Sequence, residues 1–203
     1  MKLDLLPGEE KIFKRLDSPK KIQDFLNSIP KNFEKTGETC YSPRLVLREN
    51  MAHCVEGAFL VASILWYHGE KPLIFDLRSN SEDFDHVVAL FKKNGHWGAI
   101  SKTNYAVLRY REPIYKNARE LALSYFHEYF LDNGDKTLRE FSVPIDLSKF
   151  GTEWITADRN LWDIYFEIDK YRHTPILSRS MISALRKADK IEIEAGKLRE
   201  WKK

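Results

Sequence analysis

Cys54-Val55-Glu56-Gly57-Ala58-Phe59-Leu60-Val61-Ala62-Ser63-Ile64-Leu65-Trp66-Tyr67 is the stretch on which the fold turns. Ala58, Val61, Ala62 and Leu65 line one face at helical spacing, while Phe59, Leu60, Ile64 and Trp66 make the other faces apolar too. A helix apolar all round belongs at the centre of a core. Gly57 falls in its first turn and Gly69 just past its end, so the pattern predicts a buried helix over residues 54–67. The uncharged run 57–69 is thirteen residues and contains His68. That is short of the roughly 20 apolar residues a bilayer span needs, so no transmembrane helix is expected.

Working downstream, residues 72–77 (PLIFDL), 86–91 (HVVALF) and 96–101 (HWGAIS) read as strands. The last two are joined by Lys92-Lys93-Asn94-Gly95. Asn-Gly predicts a two-residue type I′ hairpin, because that turn needs positive φ at both central positions. Lys93 then faces His96, and paired residue numbers sum to 189. This register sets His86 opposite Thr103 and Val88 opposite Ser101, and paired side chains share a face. Ser101 becomes a diagonal neighbour of His86, within reach of a hydrogen bond that orients the imidazole. Asn104 points to the other face unless the strand ends or bulges first. A central helix followed by antiparallel strands is an α+β arrangement, not a doubly wound one.

Upstream, residues 19–29 read as a short helix. Ser18 is placed to cap it, Pro19 suits its first turn, and Ile22, Phe25, Leu26 and Ile29 form one stripe before Pro30. Residues 118–131 read as a helix carrying Leu121, Tyr125 and Phe126 inward and stopped by Asn133-Gly134. The aromatic block 154–171 (Trp154, Trp162, Tyr165, Phe166, Tyr171) fits a helix, although the alternation over 162–168 also fits a strand. Residues 179–200 read as a charged terminal helix. No repeat, low-complexity run or linker divides the chain, so a single domain over 1–203 is expected, with its core at about 20–105 and a C-terminal elaboration over 106–203.

The 203 residues are 43% hydrophobic and 31% charged, which excludes a disordered or fibrous chain. Lys plus Arg is 33 against 30 Asp plus Glu, a net +3, and residues 179–203 alone hold eight Lys/Arg against four Asp/Glu. Charge gives nucleic-acid binding no support; binding by that basic terminal segment would fall steeply with salt. Met1-Lys2-Leu3-Asp4 turns acidic at once and has no small-residue cleavage site, unlike a signal peptide. Cys40 and Cys54 are therefore expected as reduced thiols in a cytoplasm.

Cys54 stands where the buried helix begins. A thiol there feels about half a positive charge from unpaired N–H groups, which favours the thiolate. The same groups suit an oxyanion formed when the sulfur attacks a carbonyl. His86 heads a strand thirty-two residues later. His53, Cys54 and His86 are soft metal ligands by type, but no zinc spacing accompanies them, so no metal and no cofactor is expected. Glu56, in the first turn, suits the helix dipole and reads as structural, although a nearby carboxylate opposes thiolate formation. His96 reads as a strand-end residue, and His68, His127 and His173 show no partner in the sequence. Arg109 and Arg111 flank Tyr110 on what reads as a solvated strand face, with capture of a substrate carboxylate as the sharper alternative.

Cys-x-Glu-Gly-Ala opening an apolar helix, then Asp85-His86-Val87-Val88-Ala89, then a hairpin into Trp97-Gly98-Ala99-Ile100-Ser101 resembles the transglutaminase-like branch of the papain-like cysteine superfamily. The resemblance covers about residues 20–105. It implies a Cys-bearing helix packed on an antiparallel sheet, with the extra C-terminal helices added outside it. It also implies Cys54 as nucleophile, His86 as general base and acid, and a third residue on the next strand that orients the histidine. That third position, usually acidic, is Ser101 here, whose hydroxyl bonds a ring nitrogen but supplies no charge to an imidazolium, with Asn104 as the alternative if the strand twists. The expected activity is cysteine-dependent acyl transfer, foremost hydrolysis of an amide or ester through a thioester, on a peptide or small acyl substrate. The alternative is a catalytically degenerate fold that binds a peptide or small ligand. The aromatic block at 154–171 is the expected wall of the cleft.

Overall fold

The computed structural model describes residues 3–200. The readings placed on Met1-Lys2 and on the basic end Trp201-Lys202-Lys203 lie outside the described residues. The chain runs α1 (Pro7–Arg15), α2 (Pro19–Ser28), α3 (Pro43–Glu49), α4 (Cys54–Tyr67), β1 (Leu73–Ser79), β2 (His86–Lys93), β3 (His96–Ile100), β4 (Arg111–Tyr115), α5 (Ala118–Phe126), β5 (Leu138–Ser142), β6 (Ile145–Asp146), α6 (Trp162–Ile168), β7 (His173–Pro175), α7 (Arg179–Ser183) and α8 (Lys190–Gly196). The class is α+β. The strands form one antiparallel sheet in the order β4-β3-β2-β1-β5-β7, with β6 also paired to β1.

Every residue of α4 from Val55 to Leu65 is buried, as its uninterrupted apolar surface requires. The helix lies on one face of the sheet, where Val87, Ala89 and Phe91 of β2 join its core. Val88 and Leu90 point the other way, into a second core closed by Leu121, Ala122 and Tyr125 of α5. Burial on both faces is why β2 reads as a continuous apolar run rather than an alternation.

The hairpin is a type I′ turn, with φ of 52° at Asn94 and 79° at Gly95. Its register runs from Lys93↔His96 to Ala89↔Ile100. There β3 stops, so the rungs Val88–Ser101 and His86–Thr103 are not formed. The reason lies in α2. The Gln23 side chain accepts from Ser101 N at 3.0 Å and donates to Ser101 C=O at 2.9 Å, taking the place of a strand partner. Lys102, the next residue, is also held by α2. Its Nζ donates to the carbonyls of Leu26 (3.2 Å) and Ile29 at the helix end, and burial pushes its pKa down to about 8. Lys102 also explains Gly57, since a Cβ at that position would sit 2.6 Å from Lys102 Cβ. The start of the 101–108 loop is thereby clamped between α2 and the first turn of α4.

Of three expectations for the second half, two are corrected and one is decided between its alternatives. The helix read over 118–131 ends at Phe126. Beyond it, Leu131 N bonds Asp135 C=O and the Tyr129 hydroxyl donates to the Phe84 carbonyl, so the chain leaves the helix to reach the loop before β2. The ambiguous stretch 162–168 is helical. The terminal helix read over 179–200 is two short helices, α7 and α8. Ala188 N is spent on the Gly134 carbonyl at 2.9 Å, and Asp189 starts the chain afresh with its N–H on Glu192 Oε2 at 2.7 Å.

Candidate active site

Cys54 is the first residue of α4, and His53, with extended backbone, is its N-cap. Glu56, two residues further along the first turn, reaches back to accept from His53 N at 2.9 Å. Its carboxylate is fully buried and also accepts from Tyr41 N (2.9 Å), the Thr39 hydroxyl (2.7 Å) and Asn32 Nδ2 (3.1 Å). Burial pushes its pKa up, but His53 and these donors outweigh that and hold it below the ordinary 4.5. Over this carboxylate lies the His53 ring, with Nε2 3.0 Å from the Thr39 carbonyl and 3.3 Å from Glu56 Oε1. A carbonyl and a carboxylate only accept, so Nε2 carries a proton.

Cys54 is partly exposed, and two imidazoles, His53 and His86, act on its sulfur. Burial pushes the thiol up, yet the hydrogen bonds and charge of the two rings overcome it. The thiol is held well below its ordinary 9.0. His53 moves in the opposite sense. Burial lowers its pKa, and the sulfur and Glu56 together raise it above the ordinary 6.5.

His86 is almost fully buried, and its Nε2 lies 2.8 Å from Ser101 Oγ. The Ser101 hydroxyl donates its only proton to the Leu108 carbonyl at 2.6 Å. It therefore accepts from His86, so Nε2 bears a hydrogen and Nδ1 is left to exchange a proton with the thiol. Cys54, His86 and Ser101 are thus brought together. Asn104 is not part of this chain of bonds. Its Nδ2 lies 3.5 Å from the Glu200 carbonyl, and its buried Oδ1 has no partner among the described residues.

His53, Cys54 and His86 open into a cleft of about 1270 Å³, lined among others by Asn104, Tyr105, Trp162, Tyr165 and Phe166. The aromatic block supplies part of that wall, whereas Trp154 is buried against Phe59 and Trp66. The remaining candidates are engaged elsewhere. Arg111 binds Glu128 (2.7 Å) and stacks over Tyr125, and Arg109 meets Glu200 at 3.2 Å. His68 bonds the Phe13 carbonyl, and His96 the Asn94 carbonyl. His173, which showed no partner in sequence, forms a buried pair with Asp76 at 2.9 Å. On the same cleft, Asp76, Asp85 and Asp169 bring carboxylate oxygens within 4.8 Å of one another, with the Arg78 guanidinium 2.8 Å from Asp169. Cys40 is deeply buried, and burial first, then Glu56, pushes its thiol up to about 12.

His53, singled out in the sequence only as a metal ligand by type, is the second imidazole acting on Cys54. Its signal was present in His53-Cys54-Val55-Glu56, the three-residue spacing by which an N3 carboxylate reaches back to an N-cap residue. No family model matches the chain, and no curated protein matches it. Among the described residues no helix is long and apolar enough to cross a membrane.

Proposed function

We propose that the chain is a cysteine-dependent acyl-transfer enzyme of the transglutaminase-like kind, working foremost as a hydrolase of an amide or ester bond. The observation that carries this is the seating of Cys54 at a helix start between two imidazoles, one backed by Glu56 and one by Ser101.

The Cys54 proton passes to Nδ1 of His86, whose Nε2–H stays on Ser101. The thiolate attacks the carbonyl carbon, and the electron pair moves to the oxygen at the N–H-rich end of α4. Collapse breaks the bond to the leaving amine or alcohol, which takes the Nδ1 proton, and a thioester remains. Nδ1 then accepts a proton from water, hydroxide adds to the thioester, and the acid leaves as the thiolate is regenerated. His53 and Glu56 stay paired throughout and stabilise negative charge on sulfur. This pair does not replace the negative charge an acid would give the His86 imidazolium; it favours the thiolate–imidazolium state from the sulfur side instead.

The test is turnover of amide and ester substrates by the full chain and its Cys54→Ala variant. The variant must lose all activity above buffer. Turnover that survives overturns the assignment.

A further inference from the structure

Residues 198–200 follow α8 and run antiparallel to residues 104–106, in the loop beyond Ser101. Ala106 N donates to the Leu198 carbonyl at 2.9 Å, and Glu200 N to the Asn104 carbonyl at 2.7 Å. These bonds flank Tyr105 and Arg199, which face each other between them. The contact is made by backbone. Leu198 is 65% exposed, and Arg199 and Glu200 are exposed as well. The ion pair Arg109–Glu200, the one across this contact among the described residues, lies at the surface. Asn104 and Tyr105 line the same cleft as Cys54 and His86, as do Ile193 and Gly196 of α8. Asn104 is 2% exposed, and its Oδ1 has no partner among the described residues.

We propose that residues 104–106 are a main-chain docking edge for an extended peptide substrate, and that residues 198–200 of this chain hold that edge in cis until a substrate displaces them. Strand addition recognises a backbone, so any extended peptide offers the donors and acceptors that Leu198 and Glu200 offer now. The cis segment is cheap to exchange, because exposed hydrogen bonds and a surface ion pair each contribute little. What happens at Cys54 after docking rests on the acyl-transfer reading; the docking itself rests on the geometry of this edge.

The experiment uses the full chain with Cys54→Ala, which removes turnover and the one partly exposed thiol. The probe is a fluorescein-labelled peptide copying residues 194–203, followed by anisotropy. Glu200→Pro removes the N–H given to Asn104 and the carboxylate on Arg109 without touching residues 104–106. Loosening the competing segment should tighten probe binding roughly tenfold. Tyr105→Cys with Arg199→Cys places thiols on a directly opposed pair without bonds between its own backbones, where a disulfide fits. Oxidation should abolish binding, and reductant should restore it. Probe binding indifferent to that disulfide, or no binding to the Glu200→Pro chain, overturns the proposal. Alkylation of Cys54 in the unmodified chain does not depend on the docking edge, so failure here leaves the chemistry standing, and failure there leaves the docking standing.

Discussion

His86 Nε2 lies 2.8 Å from Ser101 Oγ, and that hydroxyl has already given its proton to the Leu108 carbonyl. The pair therefore keeps a hydrogen on Nε2 and leaves Nδ1 as the nitrogen that exchanges a proton with Cys54. Ser101 performs the orienting half of what an acidic partner does and none of the charge stabilisation.

Removing that orientation should slow chemistry without weakening binding. Ser101→Ala is expected to lower kcat by about 10²-fold, the low end of what a positioned base contributes, with KM little changed. Ser101→Asp restores an acceptor and should retain more activity than the alanine variant. Steady-state kinetics on one ester substrate decide it; an unchanged kcat for Ser101→Ala contradicts the role.

His53 and His86 should separate in their effects. His53→Gln removes the cation beside the sulfur, so the pH at which Cys54 becomes reactive should rise, while turnover at high pH largely recovers. His86→Ala should lose turnover at every pH, because no group remains to protonate the leaving group. Equal loss from both variants across the pH range would contradict this division.

Glu56 is fully buried and holds several donors at once. Glu56→Gln turns one acceptor into a donor among donors, and should cost about 2–4 kcal/mol of stability at neutral pH. The folded carboxyl pKa is depressed, so its stabilisation is fully present above the unfolded value near 4.5 and is lost as pH falls through the folded one. The gap between wild type and variant in urea midpoints should accordingly narrow below that pH. A gap that stays constant into acid removes the ionised carboxylate from the account.

Much of this was legible because it is local. The α4 stretch is apolar on every face, and Asn94-Gly95 demands its turn, so neither needed knowledge of distant residues. The register from that turn brought Ser101 near His86, although the rungs beyond Ile100 are replaced by Gln23, seventy-eight residues away in the chain. Strand β5 lies between β1 and β7, an ordering that no short window of sequence contains. The terminal segment carries helix-forming residues throughout, yet the Gly134 carbonyl takes the Ala188 N–H and breaks it in two. His53 was readable in principle, but its role depends on Thr39 and Asn32 closing over Glu56 from another part of the chain.

Gly57 is required by the approach of Lys102 Cβ, the residue that follows Ser101. Gly57→Ala should cost about 1–3 kcal/mol through overpacking. It should also push the Ser101 loop away from His86, lowering kcat in molecules that remain folded. Denaturation midpoints and kinetics on the same preparation test both; wild-type values in each would show that the loop has room to spare.

The central claim is that Cys54 is a thiolate held by His53 and His86. The most direct measurement is the pH dependence of its alkylation by iodoacetamide, followed by peptide mass spectrometry in wild type, His53→Gln and His86→Ala. Cys40, buried and pushed up to about 12, will be silent, so a free small-molecule thiol serves as the reference. The account predicts an apparent pKa for Cys54 well below about 8.5, moving upward in both variants. A Cys54 that titrates with the reference thiol and ignores both substitutions would contradict it.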